Sequence, residues 1–254
     1  MRFMYKLIAA SLTVFALQAS ADVTEEETFS FTVDSDANFS IDNVNGDIEI
    51  IGGGGNTIEV TAFKKADNQK AMDRIEILVD ANAQSVEIET DLNKGKESWF
   101  DWGSDGATVT YEVSLPSTVS LDAIDSVNGD VTIENVSAEV NVDTVNGDID
   151  VSGLADDAEL DTVNGKIQVS FTSFEGHQRA SCDTVNGSIH VYLPENASAS
   201  VNAESLNGSI KGGDFDLNVN KGRFIGRDMH GTIGDGSARL NLDTVNGSIR
   251  VARN

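Results

Sequence analysis

The sequence predicts an all-β fold, a β-solenoid with an irregular N-terminal part. Three observations carry this expectation. A short unit centred on Val-Asn-Gly recurs along the chain. Apolar and polar residues alternate on both sides of each Asn-Gly, the period-two signal of strands with one buried face. The Asn-Gly corners return every 18 to 22 residues over most of the series, a length that suits one coil of a solenoid and leaves insertions for loops.

Residues 1–21 read as an address. Arg2 and Lys6 make a positive start, Leu7 to Leu17 is an apolar run, and Ala19-Ser20-Ala21 is a small-residue cleavage signal before Asp22. This is the layout of a secretory signal peptide, and the apolar run is too short to span a bilayer. The expectation is an exported protein, periplasmic or extracellular at the cell surface, with no transmembrane segment in the mature chain.

Residues 22–116 read as an irregular β N-terminal part that caps one end. Phe29, Phe31 and Val33 alternate, and so do Ile48, Ile50, Ile58 and Val60. Asp67 to Asp73 reads as a short helix with Asp67 as its cap. Strand-like runs follow at Ile75 to Val79, Val86 to Thr90 and Thr108 to Leu115. Between the last two lies a polar loop, Asn93 to Gly106, carrying Trp99, Phe100 and Trp102. Its aromatics either stack on a ligand or fold back to plug the open end.

Residues 117–254 read as the repeats. Asp125-Ser126-Val127-Asn128-Gly129-Asp130-Val131 opens the series, and Asp143-Thr144-Val145-Asn146-Gly147-Asp148-Ile149 follows. Further copies centre on Asn164-Gly165, Asn186-Gly187, Asn207-Gly208 and Asn246-Gly247. An outlying copy centres on Asn45. The last gap, 39 residues from Asn207 to Asn246, reads as two periods with Met229-His230-Gly231-Thr232-Ile233 as a worn copy between them. Asn and Gly tolerate positive φ, so each pair marks a sharp change of direction. Each is either a hairpin turn or a corner between strands that pair with the next unit. The faithful Asp-Thr-Val before each Asn favours the corner, with the amides stacked in a ladder.

This serial V-N-G-[D/S/K]-I-x-V pattern, strongest from Tyr111 to Val251, resembles the bacterial "putative adhesin" β-strand-repeat family, a domain of unknown function on exported proteins. The resemblance implies a right-handed single-stranded β-helix. It brings no catalytic residues.

Charge narrows the function further. Against 17 Lys and Arg stand 42 Asp and Glu, for a net charge of −25. Removing residues 1–21 takes away two cations and no carboxylate. Such a chain repels the phosphates of nucleic acid and the surface of an anionic membrane. It attracts divalent cations, and Asp101 with Asp105, Asp156-Asp157 and Gly212-Gly213-Asp214-Phe215-Asp216 are carboxylate-rich loops. None has EF-hand spacing, so no metal site and no cofactor is expected beyond weak cation binding. The single cysteine, Cys182, excludes an internal disulfide framework and reads as a small core residue.

The histidines are scattered. His177 lies in an inserted loop, His190 points outward from a strand, and His230 takes the Asn place of the worn copy. No nucleophile or zinc motif occurs. The row Asp143, Asp161, Asp183 and Asp243 reads as a solvated stripe, or else as the carboxylate cluster of a glycan-cleaving β-helix. Residues that break the repeat are better candidates for binding. Besides the Trp99 loop these are the insertion around His177 and Arg179 and the stretch from Lys221 to His230, where Arg223 and Arg227 stand beside Lys221 and Asp228. The expected function is a non-enzymatic, adhesin-like scaffold or binding protein of the cell envelope, with glycans or envelope proteins as partners. The alternative is a carbohydrate-active β-helix enzyme, a polysaccharide lyase or hydrolase.

Overall fold

The structure is a computed structural model and describes residues 22–92, 106–213, 215, 217–221 and 226–254. Residues 93–105 of the Trp99 loop, Asp214, Asp216, Arg223 and the segment 1–21 lie outside the described residues.

Before the repeats the chain runs β1 (Val23–Thr32), β2 (Asn38–Asn45), β3 (Ile48–Gly53), β4 (Thr57–Ala66), α1 (Gln69–Met72), β5 (Glu76–Ala81), β6 (Ser85–Asp91) and β7 (Thr108–Pro116). The regular repeats give β8 (Ser120–Asn128), β9 (Val131–Glu134), β10 (Val140–Asn146), β11 (Ile149–Leu154), β12 (Ala158–Asn164), β13 (Ile167–Phe171), β14 (Arg179–Asn186) and β15 (Ile189–Leu193). The chain ends with β16 (Ala199–Asn207), β17 (Ile210–Lys211), β18 (Asn218–Lys221), β19 (Arg227–Ile233), β20 (Ala238–Asn246) and β21 (Ile249–Arg253).

These strands form two large open sheets rather than a barrel. One has ten strands in the order β1-β4-β7-β3-β9-β11-β13-β15-β21-β17. The other has eleven, in the order β18-β19-β16-β20-β14-β12-β10-β8-β2-β6-β5. Each repeat contributes one strand to each sheet. In β10, Val140, Val142 and Thr144 are buried while Asp143 and Val145 face out. After the Asn146-Gly147 corner, Ile149 and Val151 of β11 are buried. β10 pairs in parallel with β8 and β12, and β11 with β9 and β13. The two strands of one repeat therefore do not pair with each other, and Asn-Gly is a corner between sheets rather than a hairpin turn. The core lies between the sheets and consists mainly of Val, Ile, Leu and Ala, which the low aromatic content requires. Cys182 is fully buried in it, and desolvation pushes its thiol pKa up.

Spatial order departs from sequence order. β20 lies between β14 and β16, so the last repeat is inserted between the Asn186 and Asn207 copies. The 39-residue gap is thus not two periods. The stretch Met229 to Ile233 belongs to β19, which runs antiparallel along β16. It cannot be a rung, because it has neither the corner Asn-Gly nor the inward Thr that join one rung to the next. His230 sits opposite Asn202, not in the asparagine series.

The N-terminal part extends the same sheets. The Asn45 copy is a rung in its own right: β2 pairs with β8, and β3 with β9. Regularity changes near Pro116, but residues on both sides supply strands to both sheets. The short helix is capped by Asn68, whose Oδ1 accepts from the Ala71 amide at 3.0 Å, rather than by Asp67. At this end Lys64 is buried and paired with Glu27. Tyr111 shares a 2.7 Å hydrogen bond with Thr90, and burial pushes its pKa up to about 12.

The rungs are held by ladders running along the stack. Asn128, Asn146, Asn164, Asn186 and Asn246 each donate from Nδ2 to the Oδ1 of the asparagine one rung before, starting from Asn45, at 2.8 to 3.0 Å. Asn207 completes the series on Asn246 at 3.0 Å. Inside it, Thr162, Thr184 and Thr244 donate to the glycine carbonyls of neighbouring rungs. Beside it, the Oδ1 of Asp47, Asp130 and Asp148 each accepts the amide N–H of the next rung.

The glycines do not serve mainly as positive-φ residues. Of the corner glycines only Gly46 has positive φ, at 117°. Gly129, Gly147, Gly165, Gly187, Gly208 and Gly247 are needed for close approach. A Cβ on any of them would stand 1.6 to 2.1 Å from the glycine carbonyl oxygen of the adjoining rung.

Candidate functional site

In-register parallel stacking has a direct consequence for the outer face. A residue that recurs once per repeat stands beside its own copies, about 4.8 Å apart. On the eleven-stranded sheet this produces a row of carboxylates. Registers run from Glu89 through Asp42, Asp125, Asp143, Asp161, Asp183, Asp243 and Glu204 to Asp228. Two residues along each strand is a parallel row of exposed aliphatics: Val127, Val145, Val163, Val185, Val245 and Leu206, each 39 to 50 % exposed. Burying such side chains would be favourable, and their alignment makes a continuous stripe.

At the C-terminal end of the rows β19 supplies a wall. Arg227, Asp228 and His230 join the two rows around a groove of about 800 Å³. Nε2 of His230 lies 3.4 Å from Oδ2 of Asp228, and Asn220 donates to the same oxygen at 3.1 Å.

The carboxylate row is electrostatically strained. Asp161 is raised to about 6, first by desolvation and then by its neighbours Asp183, Asp143 and Glu159. Asp125, Asp183 and Asp243 are also raised, with desolvation the largest cause in each. For Asp183 the hydrogen bond from Ser181 Oγ, at 3.1 Å, works the other way.

Raised carboxyl pKa values mean that the folded chain holds more protons than the unfolded chain between the ordinary value of 3.8 and about 6. Stability from this row is therefore fully present below that window and lost as pH rises through it. Lowering the pH from 7.5 to about 5 raises the melting temperature. Asp161→Asn at pH 7.5 removes one repelled, partly desolvated charge. The expected gain is about 1 kcal/mol after allowance for its exposure, or about 3 °C, with a flatter pH profile. Scanning calorimetry of both proteins across this range checks it. A lower melting temperature for the variant at pH 7.5 would contradict the strain.

Of the residues singled out from sequence, the structure brings Arg227 into the groove with Asp143, Asp161, Asp183 and Asp243. It places His190 on the opposite sheet and the Asn-Gly corners beside the valine row. The groove aliphatics were not singled out, although Val recurs two residues after each Asp. Among the described residues, no group of three or more His, Cys, Asp or Glu is arranged to hold a metal ion. No helix of the described residues is long and apolar enough to cross a membrane.

The family described as Toastrack DUF4097 matches residues 112–252, more than half of the chain and the same stretch in which the repeat is strongest. No curated protein matches. Among solved structures, a "putative cell adhesion protein" from Clostridium sporogenes is 14 % identical with a TM-score of 0.48, covering 91 % of this chain and 100 % of that one. A "putative adhesin" from Bacteroides fragilis is 14 % identical with a TM-score of 0.38, covering 89 % and 96 %. A "putative lipid binding protein" from Parabacteroides distasonis is 12 % identical with a TM-score of 0.33, covering 89 % and 96 %.

Proposed function

This chain belongs to the Toastrack DUF4097 family, and on that premise we propose that it is an exported, non-enzymatic, adhesin-like binding scaffold of the cell envelope. Its repeats wind as a single-stranded, right-handed β-solenoid, residues 117–254, with residues 22–116 closing one end. The parallel pairing of successive repeats from Asn128 to Asn186 supports the winding, and the last repeat joins the same stack between the Asn186 and Asn207 copies. Residues 1–21 act as the signal peptide that delivers it to the periplasm or cell surface.

One observation carries the binding role: a groove in which a carboxylate row and an aliphatic row run side by side. A ligand lying along the stack meets the same pair of groups at every rung. An extended or helical polypeptide segment with a basic edge and an apolar edge matches both rows. The ligand class is thus a basic, amphipathic segment of an envelope protein.

Titration with a synthetic peptide of alternating Lys and Leu, followed by amide chemical shifts, tests it. The expected result is saturable binding with shifts at Val145, Val163, Val185 and Val245, and none with the Glu-Leu peptide. Asp161→Asn combined with Asp183→Asn weakens binding about tenfold. Equal affinity for both peptides, or no effect of the double variant, overturns the assignment.

The catalytic reading draws on a separate observation. Arg227 and His230 reach the same groove as carboxyls with raised pKa, an arrangement that glycan cleavage uses. Release of reducing or unsaturated ends from acidic or neutral polysaccharides, abolished by Arg227→Ala, would establish it. The scaffold reading expects no release.

A further inference from the structure

We propose that the outer face of the ten-stranded sheet, where β13, β15, β21 and β17 adjoin, binds an anionic glycan. The proposal shares the premise that the chain is a binding scaffold, but uses the face opposite the groove. Registers align Gln168, His190, Arg250 and Lys211 in one outward row across these four strands. Lys166 stands beside the row, with its Nζ 3.4 Å from Gln168 Oε1. Arg250 and Lys211 are exposed. The other half-buried or exposed side chains of these four strands are Ser170, Tyr192 and Arg253, and none of them is a carboxylate; Ala252 is buried. The nearest carboxylate along the row is Asp150, which accepts from Gln168 Nε2 at 3.1 Å.

On a chain of net charge −25 this is a cluster of cations, bordered among the described residues by Asp148 and Asp150 of the adjoining rung. Holding like charges on neighbouring strands costs free energy. His190 registers that cost: desolvation lowers its pKa first, and Lys166 and Arg250 lower it further. A ligand with an anionic group on successive units would relieve it at each rung. The surroundings suit a sugar more than a bare polyphosphate. Hydroxyls of Ser188, Ser248 and Ser209 line the corner beside the cations, with the last two hydrogen-bonded at 2.9 Å. Tyr192 offers a ring and a phenol on the same face. With one side chain of the row on each strand, a single extended chain lying across the strands meets them in turn. A nucleic-acid duplex would overlap the acidic remainder of the sheet and be repelled.

The test uses the full chain and a short oligogalacturonate, measured by calorimetry alongside its methyl ester, which keeps the sugar and loses the charge. Polyphosphate is a third probe. The acid form binds and the ester does not. Arg250→Ser with Lys211→Ser lowers affinity about a hundredfold, roughly tenfold for each cation, and binding weakens with salt. Both residues are exposed, and an unchanged melting curve shows that the double variant is folded. Asp161→Asn, on the other face, leaves oligogalacturonate binding unchanged, while the Lys-Leu peptide reports on the groove separately. Failure of the acid form to bind, equal binding of the ester, unchanged affinity in the double variant, or tighter binding of polyphosphate each overturns the proposal.

Discussion

Gly165→Ala unfolds this protein or lowers its melting temperature by more than about 10 °C. The cause is contact with the adjoining rung, not an unusual backbone angle. A Cβ at Gly165 would stand 1.8 Å from the carbonyl oxygen of Gly147 and 2.6 Å from its carbonyl carbon. Both are backbone atoms, so no side chain can swing aside. The rungs must separate locally, and the atoms that would move are already committed. The Gly147 amide donates to Asn164 O at 3.2 Å, and Thr162 Oγ1 donates to Gly147 O at 3.2 Å. The Asn164–Asn146 amide bond lies beside them. Losing this set costs at least about 4 kcal/mol, a large share of the 5 to 15 kcal/mol that holds a typical domain. Gly54→Ala is the control, since a Cβ there meets nothing within 4 Å. Thermal unfolding of the two variants should differ sharply. Equal melting temperatures would show that the corners do not pack so closely.

Phe174→Ala is expected to lose about 3 to 5 kcal/mol. Phe174 lies in the insertion that lengthens one repeat to 22 residues, where a repeat template expects a solvated loop. Instead its side chain is fully buried, with its ring centroid 4.6 Å from that of Phe171 and the planes tilted by 49°. Its carbonyl accepts from Ser198 N at 2.9 Å. Alanine leaves a cavity between the sheets that stiff, hydrogen-bonded strands cannot collapse to fill. Denaturant unfolding measures the loss, and Phe174→Leu should recover part of it. A cost under about 1 kcal/mol would place the side chain in solvent.

What the sequence made legible follows from how local each signal is. Alternation such as Leu160, Thr162 in and Asp161, Val163 out needs only a strand and its two faces, so the sheets were readable. The asparagine ladder was readable because a repeated polar residue at one corner has little else to bond. The reason for the glycines was not readable. Positive φ and close backbone approach leave the same residue, and only the stacking distance separates them. Spatial order was hidden for a similar reason. The units at Asp183 and Asp243 carry the same Asp-Thr-Val-Asn-Gly-Ser-Ile, so either stacks on a neighbour equally well. Which one does is decided by the chain between Asn207 and Asn246, through the β18 and β19 excursion. The groove was half legible. Its carboxylates stood out by charge. Its valines passed as strand formers until the register aligned them on the outer face.

In-register rungs, stacked with β20 between β14 and β16, build continuous rows on the outer faces. Methyl–methyl NOE spectroscopy tests this order most directly, because the exposed aliphatics mark the rungs without any substitution. Adjoining rungs are about 4.8 Å apart and alternate rungs about twice that. The fold predicts cross-peaks between Val185 and Val245 and between Val245 and Leu206, with none between Val185 and Leu206. A cross-peak between Val185 and Leu206, with none from Val185 to Val245, would mean that the repeats stack in sequence order and that the rows are not built this way.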